Sequence, residues 1–323
     1  MSLNRRSSLT WVLGIFAPWL WFWVRDLGLF GLFDVIAILF PALTAGTVGG
    51  LLLVAVRTRR WRWVLPAVSA VGVGVLSIMS PWRAQIQPAP SSPATAVTIV
   101  FANLLLSNVD SQVVDVIAAY DADVVITAET NGTQYLRLSE WFGPPVVSAG
   151  DEAGCSIDGP GSCATVNFWT HLPASVGEKS PALAAARGVR VDVETDDGRL
   201  RIHAAHIPAP SPLFWRPGLT TPAGHRIILE ALMAELSEGD RSLLVGDLNL
   251  SDRQTAYREI TDHWQDLTRI SATGPTSRRG LLAPLLLRID HVLASPDLCA
   301  STSERFTVPG SDHAGLAVVV GPC

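Results

Sequence analysis

Two short stretches near the C-terminal end, Arg288-Ile289-Asp290-His291 and Ser311-Asp312-His313, follow an earlier one, Val245-Gly246-Asp247-Leu248-Asn249. Upstream of all three, Asn103, Glu129 and His206-Ile207-Pro208 each close an apolar segment. Carboxylates, amides and imidazoles are the groups that hold a hard divalent cation, activate a water and grip an anionic phosphate. The chemistry they suggest is metal-dependent attack of water on a phosphate ester, provided the chain brings them to one place.

Each piece has a reason to take part. Asn103 follows Thr98-Ile99-Val100-Phe101-Ala102 and offers either an amide oxygen to a cation or an NH2 to a phosphate. Glu129 follows Val124-Val125-Ile126-Thr127-Ala128, and an ionised carboxylate leaving so apolar a strand needs a cation or a donor. His206 could hold a phosphate or protonate a leaving oxygen. His203, three positions earlier in the same strand, points to the opposite face and is read as structural. In an extended chain Asp247 and Asn249 share a face, so a water-polarising carboxylate lies beside a phosphate-binding amide; an Asx turn closing the strand is the competing reading. Asp312 and His313 are adjacent, so both reach one site only from a loop. His171, His225 and His263 have no motif around them and are assigned to the surface.

In this order the set resembles the endonuclease/exonuclease/phosphatase family, whose members include DNase I-like nucleases, inositol-phosphate phosphatases and sphingomyelinases. Ala128 is a departure, since many members carry Gln there. The resemblance spans about residues 96 to 323 and implies an α/β fold, a DNase I-like four-layer sandwich of two β-sheets flanked by helices. It implies Mg2+, or Mn2+ in its place, held by Asn103, Glu129 and Asp312. His206, Asp247, Asn249, Asp290 and His313 are the implied catalytic set. Asp247 would take the water proton or position the water, Asn249 would orient the phosphate, and His313, its tautomer fixed by Asp290, would stabilise the transition state with His206, while His291, at a position often aromatic in relatives, would serve packing.

The elements that must position these groups begin at about residue 96. Ala96 to Asn103, Val124 to Ala128, Ser242 to Val245, Ile289 to Leu293 and Leu316 to Val320 read as strands, and Ser111 to Tyr120 and Thr221 to Leu236 as helices. Val189 to Glu194 and Leu200 to His206 form a hairpin around Asp196-Asp197-Gly198. Ligand-type residues therefore recur at strand ends.

The N-terminal part is different. Mean hydropathy is +0.31, and the apolar excess lies in three nearly charge-free runs, Trp11 to Val24, Val35 to Val56 and Trp63 to Met79. Residues 1–80 are read as a membrane anchor of about three helices, 81–95 as a Pro-rich linker and 96–323 as the catalytic domain. Arg5 and Arg6 before the first run, and Arg57, Arg59, Arg60 and Arg62 between the second and third, place both clusters in the cytoplasm by the positive-inside rule. The expectation is a multi-pass cell-membrane protein with an extracytoplasmic domain. All four cysteines fall in that domain, with Cys155–Cys163 and Cys299–Cys323 the expected disulfides of an oxidising compartment.

Partners follow from charge and tether. The net charge of -5 disfavours a tight, backbone-tracking DNA binder, although Arg187, Arg190, Arg216 and Arg226 could meet a local phosphate. A nucleic acid and a phospholipid head group both remain open as substrate, and Leu213, Phe214 and Trp215 could touch substrate or bilayer, or pack as a flap. The alternative function is a membrane-tethered binding or scaffold protein on the same fold.

Overall fold

A computed structural model describes residues 32–79, 89–91, 95–149, 166–211, 220–236, 241–271, 274–278 and 286–323. The first apolar run, most of the linker, the 213–215 loop residues, Arg216, Cys155 and Cys163 lie outside them.

The second and third apolar runs form helices α1 (Leu32–Thr58) and α2 (Val64–Met79), which pack against each other. Within α1, Ala37–Thr58 spans 22 residues and is long and apolar enough to cross a membrane. The 16 residues of α2 rise about 24 Å, short of a typical hydrocarbon core of about 30 Å. Among the described residues, then, one helix rather than two meets the length of a spanning segment.

From Val97 onward the chain builds two six-stranded sheets. The first contains β1 (Val97–Asn103), β2 (Val124–Ala128), β3 (Val147–Ala149), β4 (Val166–Thr170), β11 (Leu298–Thr307) and β12 (Ala314–Pro322), in the order β11-β12-β1-β2-β4-β3. The second contains β5 (Ala174–Val176), β6 (Val189–Thr195), β7 (Gly198–His206), β8 (Ser242–Asp247), β9 (Gln265–Asp266) and β10 (Asp290–Ala294), in the order β5-β6-β7-β8-β10-β9. Helices α3 (Gln112–Ala118) and α4 (Gly132–Phe142) cover the outer face of the first sheet. Helices α5 (Pro181–Ala185), α6 (Pro222–Glu235) and α7 (Thr255–Thr261) cover the second. The result is the expected two-sheet sandwich flanked by helices.

Three buried layers follow from strand periodicity. Ile99 and Phe101, Val124 and Ile126, Ile202 and Ala204, Leu243 and Val245, and Val292 all point between the sheets. The alternate residues of the same strands, such as Val100, Val125, Ala205 and Leu244, meet the outer helices instead. Fully burying a side chain of this size stabilises the fold by about 1.5–3 kcal/mol. At the rim the inward-facing series continues but turns polar: 99-101 leads to Asn103, 202-204 to His206, 243-245 to Asp247 and 294-292 back to Asp290. The packing that forms the core thus aims the polar groups at one opening.

Register aligns them further. His206 pairs with Asp247 across the parallel β7–β8 ladder, and Asp247 pairs with Asp290 across antiparallel β8–β10. Gly246 lets β8 approach β7: its φ is +153°, and a Cβ there would meet Ala205 O at 1.8 Å. Cys299 and Cys323 are joined as expected, with Cα atoms 5.0 Å apart.

Candidate active site

At the common rim, Asp247 is the residue the others surround. Its carboxylate is buried and its Oδ2 lies 3.0 Å from Asn103 Nδ2, 3.8 Å from His313 Nε2 and 3.9 Å from His206 Nε2. Asn103 Nδ2 also reaches Glu129 Oε1 at 3.2 Å, while its Oδ1 accepts the Leu105 N–H at 3.1 Å. The amide therefore turns its NH2 to the two carboxylates. His206 Nε2 lies 3.5 Å from Glu129 Oε1. Across the site, His313 Nδ1 is 2.9 Å from Asp290 Oδ2, the carboxylate–imidazole pairing expected from the sequence.

Glu129 and Asn249 share an unusual backbone, with φ of +50° and +47°. Left-handed conformations in non-glycine residues cost free energy and cluster where a side chain must be aimed. At 249 this corrects the expected extended pair: Asn249 does not continue the strand. Its N–H donates to Asp247 Oδ1 at 3.0 Å, closing an Asx turn, and its Nδ2 donates to Ile207 O at 2.9 Å. The turn itself keeps the amide near the carboxylate. Asp312 contributes no ligand atom to the clusters around Asp247, although its charge acts on His313, which leaves the loop beside Ser311. Ser311 Oγ donates to Asn103 O at 2.7 Å and accepts the His313 N–H at 3.0 Å, tying the His313 loop to the end of the neighbouring strand β1.

Electrostatics separate the two histidines. Burial opposes charge on His313, but Asp290 and Asp247 outweigh it and push its pKa up to about 10. Burial holds the His206 pKa below its usual value despite Glu129, with Arg187 and His313 adding repulsion. At neutral pH one imidazole is a cation and the other is neutral. Burial, reinforced by Asp290 and opposed by His313 and the Asn249 N–H, pushes Asp247 up to about 7. A buried carboxylate flanked by two others is a place that favours a cation.

The donor set fits a hard divalent cation. Glu129, His206 and Asp247 offer one atom each within 4.8 Å of one another, and Asp247, Asp290 and His313 do the same.

Other expectations are settled by burial. His203 is buried on the outer face, opposite to His206, with burial and then Arg190 and Arg201 lowering its pKa to about 4. His171 and His263 are exposed. His225, expected at the surface, is instead 2 % exposed because its ring turns from the first turn of α6 onto Leu248 O, 2.8 Å from Nε2. Thr276, which no motif marked, accepts the Ile289 and Asp290 N–H groups on Oγ1 at 3.0 and 3.1 Å and so fixes the start of β10.

Fold and site together define a class, and sequence comparison agrees: residues 103–313 match the Endonuclease/Exonuclease/phosphatase family, to which this chain belongs. That family consists generally of phosphoric ester hydrolases that typically depend on a divalent metal. No curated protein matches the chain in sequence. Among solved structures, the endonuclease/exonuclease/phosphatase of Beutenbergia cavernae is 19% identical at a TM-score of 0.51, covering 71% of this chain and 72% of its own. The corresponding protein of Bacteroides vulgatus is 17% identical at 0.50, with 71% and 100% covered. The catalytic domain of human Nocturnin, which has a bound sulfate anion, is 13% identical at 0.51, with 73% and 100% covered. At these identities the likeness is one of fold.

Proposed function

We propose that this chain is a membrane-anchored hydrolase that cleaves a phosphodiester or phosphomonoester with a divalent metal, Mg2+ or Mn2+. The observation that supports it most is the convergence on Asp247 of Asn103, His206 and His313, with Glu129 and Asp290 behind them. Glu129, Asp247 and His206 would hold the metal, while the Asn103 NH2 would orient the Glu129 and Asp247 carboxylates around it. Bound there, a divalent ion supplies Lewis-acid neutralisation of phosphate charge.

The chain's own groups would do the rest. Asp247 would accept or position the proton of the attacking water. Cationic His313, held by Asp290, would donate to a phosphate oxygen or the leaving group, and neutral His206 would line the opposite side. One N–H of the Asn249 amide is engaged by Ile207 O, which leaves the second for a phosphate oxygen.

The anchor reading adds the first apolar run to α1 and has the shorter α2, about 24 Å long, cross as a third span, which puts the domain outside the cytoplasm. Arg57 in the last turn of α1, Arg59, Arg60 and Arg62 between the two helices, and the Cys299–Cys323 disulfide support that orientation. A phosphate ester at the outer surface is then the natural substrate class, either a nucleic acid or a phospholipid head group. The net charge of -5 and the tether favour the lipid.

The test is hydrolysis by the full chain in detergent with Mg2+, Mn2+ or EDTA. Substrates are single- and double-stranded DNA, RNA, sphingomyelin, phosphatidylinositol phosphates and bis-p-nitrophenyl phosphate. Turnover of one class that EDTA removes is expected. Metal binding with no turnover of any of them would favour a scaffold on the same fold.

A further inference from the structure

Asn249 stands in a left-handed conformation between two carbonyls that point into the protein. Each is met by a buried histidine. Leu248 O lies 2.8 Å from Nε2 of His225, and Leu250 O lies 2.7 Å from Nε2 of His291. A carbonyl oxygen only accepts, so both rings carry a proton on Nε2. The two histidines are 2 % and 0 % exposed and come from different elements, the first turn of α6 and strand β10.

His291 is itself held. Its Nδ1 lies 3.3 Å from both Asp266 Oδ2 and Arg288 Nη1, and its ring packs on Tyr257 with centroids 5.2 Å apart. Arg288 grips Asp266 through two parallel bonds of 2.8 and 2.9 Å, and Asp266 also accepts the Tyr257 hydroxyl at 2.6 Å and the Thr268 hydroxyl at 2.6 Å. Every polar atom of the Asp266 carboxylate is thus used to fix what surrounds one imidazole. If position 291 served only to fill space, an apolar ring would do so without the cost of burying two ring nitrogens.

We infer that His225 and His291 are positioning residues that clamp the carbonyls on either side of Asn249. The clamp holds the Asp247–Asn249 turn in the one backbone conformation that presents both side chains to the substrate. The inference builds on the proposed hydrolase reading but concerns the turn, which can be observed independently of turnover. His291 also follows Asp290 directly, so the clamp ties the Asp247–Asn249 turn to the strand that orients His313. Asp266 and Arg288 act one step further back, by holding His291.

The test uses the full chain in detergent and the variants His225→Phe, His291→Phe, His225→Gln and His291→Gln; Gln keeps a side-chain N–H for the carbonyl. Hydrogen exchange is read by mass spectrometry on the peptide spanning Gly246 to Ser251. It should quicken by about tenfold or more in either Phe variant, with protection of β1 unchanged, and return towards the wild-type rate in the Gln variants. In the active enzyme, kcat should fall about 10- to 100-fold in the Phe variants with KM changed by less than about threefold, and recover with Gln. Unchanged exchange in that peptide, or Gln variants no better than Phe, would overturn the clamp. If the wild type hydrolyses nothing, the hydrolase reading falls, while the exchange result still decides the clamp. Should the Phe variants not fold, 15N NMR of the wild-type histidines decides instead. Slowly exchanging rings protonated on Nε2, with or without a proton on Nδ1, support the clamp, and a ring protonated on Nδ1 alone at either position refutes it.

Discussion

Asn103 and Asp247 belong to different sheets, yet the amide nitrogen of the first lies 3.0 Å from the carboxylate of the second. This contact closes the sandwich at its polar rim. It is also where the two groups of site residues meet, Asn103 and Glu129 from the first sheet, His206, Asp247 and Asp290 from the second.

The charge at this junction costs stability. Asp247 has a folded pKa of about 7 against roughly 4 unfolded, so between those values the folded state binds the extra proton. Stability therefore falls as pH rises from about 4 to 7. Asp247→Asn, in EDTA, is expected to be more stable than wild type at pH 8 by roughly 1–2 kcal/mol and to lose that advantage by pH 4. Thermal melts across this range check it.

His313 has the opposite sign. Its folded pKa of about 10 lies above the ordinary value of 6.5, so its pairing with Asp290 and Asp247 stabilises fully below about pH 6.5 and the contribution is lost as pH rises through 10. The difference in melting temperature between wild type and His313→Gln should be largest at pH 6 and shrink towards pH 10. Asp290→Asn should lower turnover by about 10²–10⁴-fold at neutral pH, since the imidazolium loses its partner.

Gly246 was legible only as part of a motif, and the structure supplies its reason. A Cβ at that position would strike Ala205 O, so Gly246→Ala must part β7 from β8. A loss of about 3 kcal/mol, or roughly 6–12 °C in Tm, is expected, with His206 displaced from Asp247 and activity lowered in proportion.

Much of the fold could be read because the core is periodic. β1, β2, β8, β10 and β12 are rich in Val, Ile, Leu and Ala, the β6–β7 hairpin alternates apolar with polar residues, and the predicted bounds lie within a few positions of the observed ones. β11 was not legible: Leu298–Thr307 carries a bulge between Ala300 and Thr302 and mixes buried with exposed polar residues, so no alternation survives. α4 was missed because Gly132–Phe142 buries only Gln134 and Leu138 deeply. At the site, residue types and order were legible, but conformation was not. The extended expectation for 247–249 does not hold because Asn249 adopts a left-handed turn, and His225 carries no sign of burial in the sequence because its partner is a backbone carbonyl, which no side-chain pattern reveals.

The disulfide offers a separate check on the C-terminal edge. Cys299 and Cys323 are 24 positions apart, and removing the cross-link is expected to cost about 3 kcal/mol by its effect on the unfolded chain. A reductant, or Cys323→Ser, should lower Tm by roughly 6–12 °C while leaving the metal dependence of turnover unchanged.

The most direct measurement is Mn2+-dependent hydrolysis of bis-p-nitrophenyl phosphate by the full chain, comparing wild type with Asp247→Ala and with wild type in EDTA. The account predicts turnover in the wild type alone, reduced by about 10³-fold or more in both other samples. Full metal-dependent turnover in the Asp247→Ala protein would contradict it.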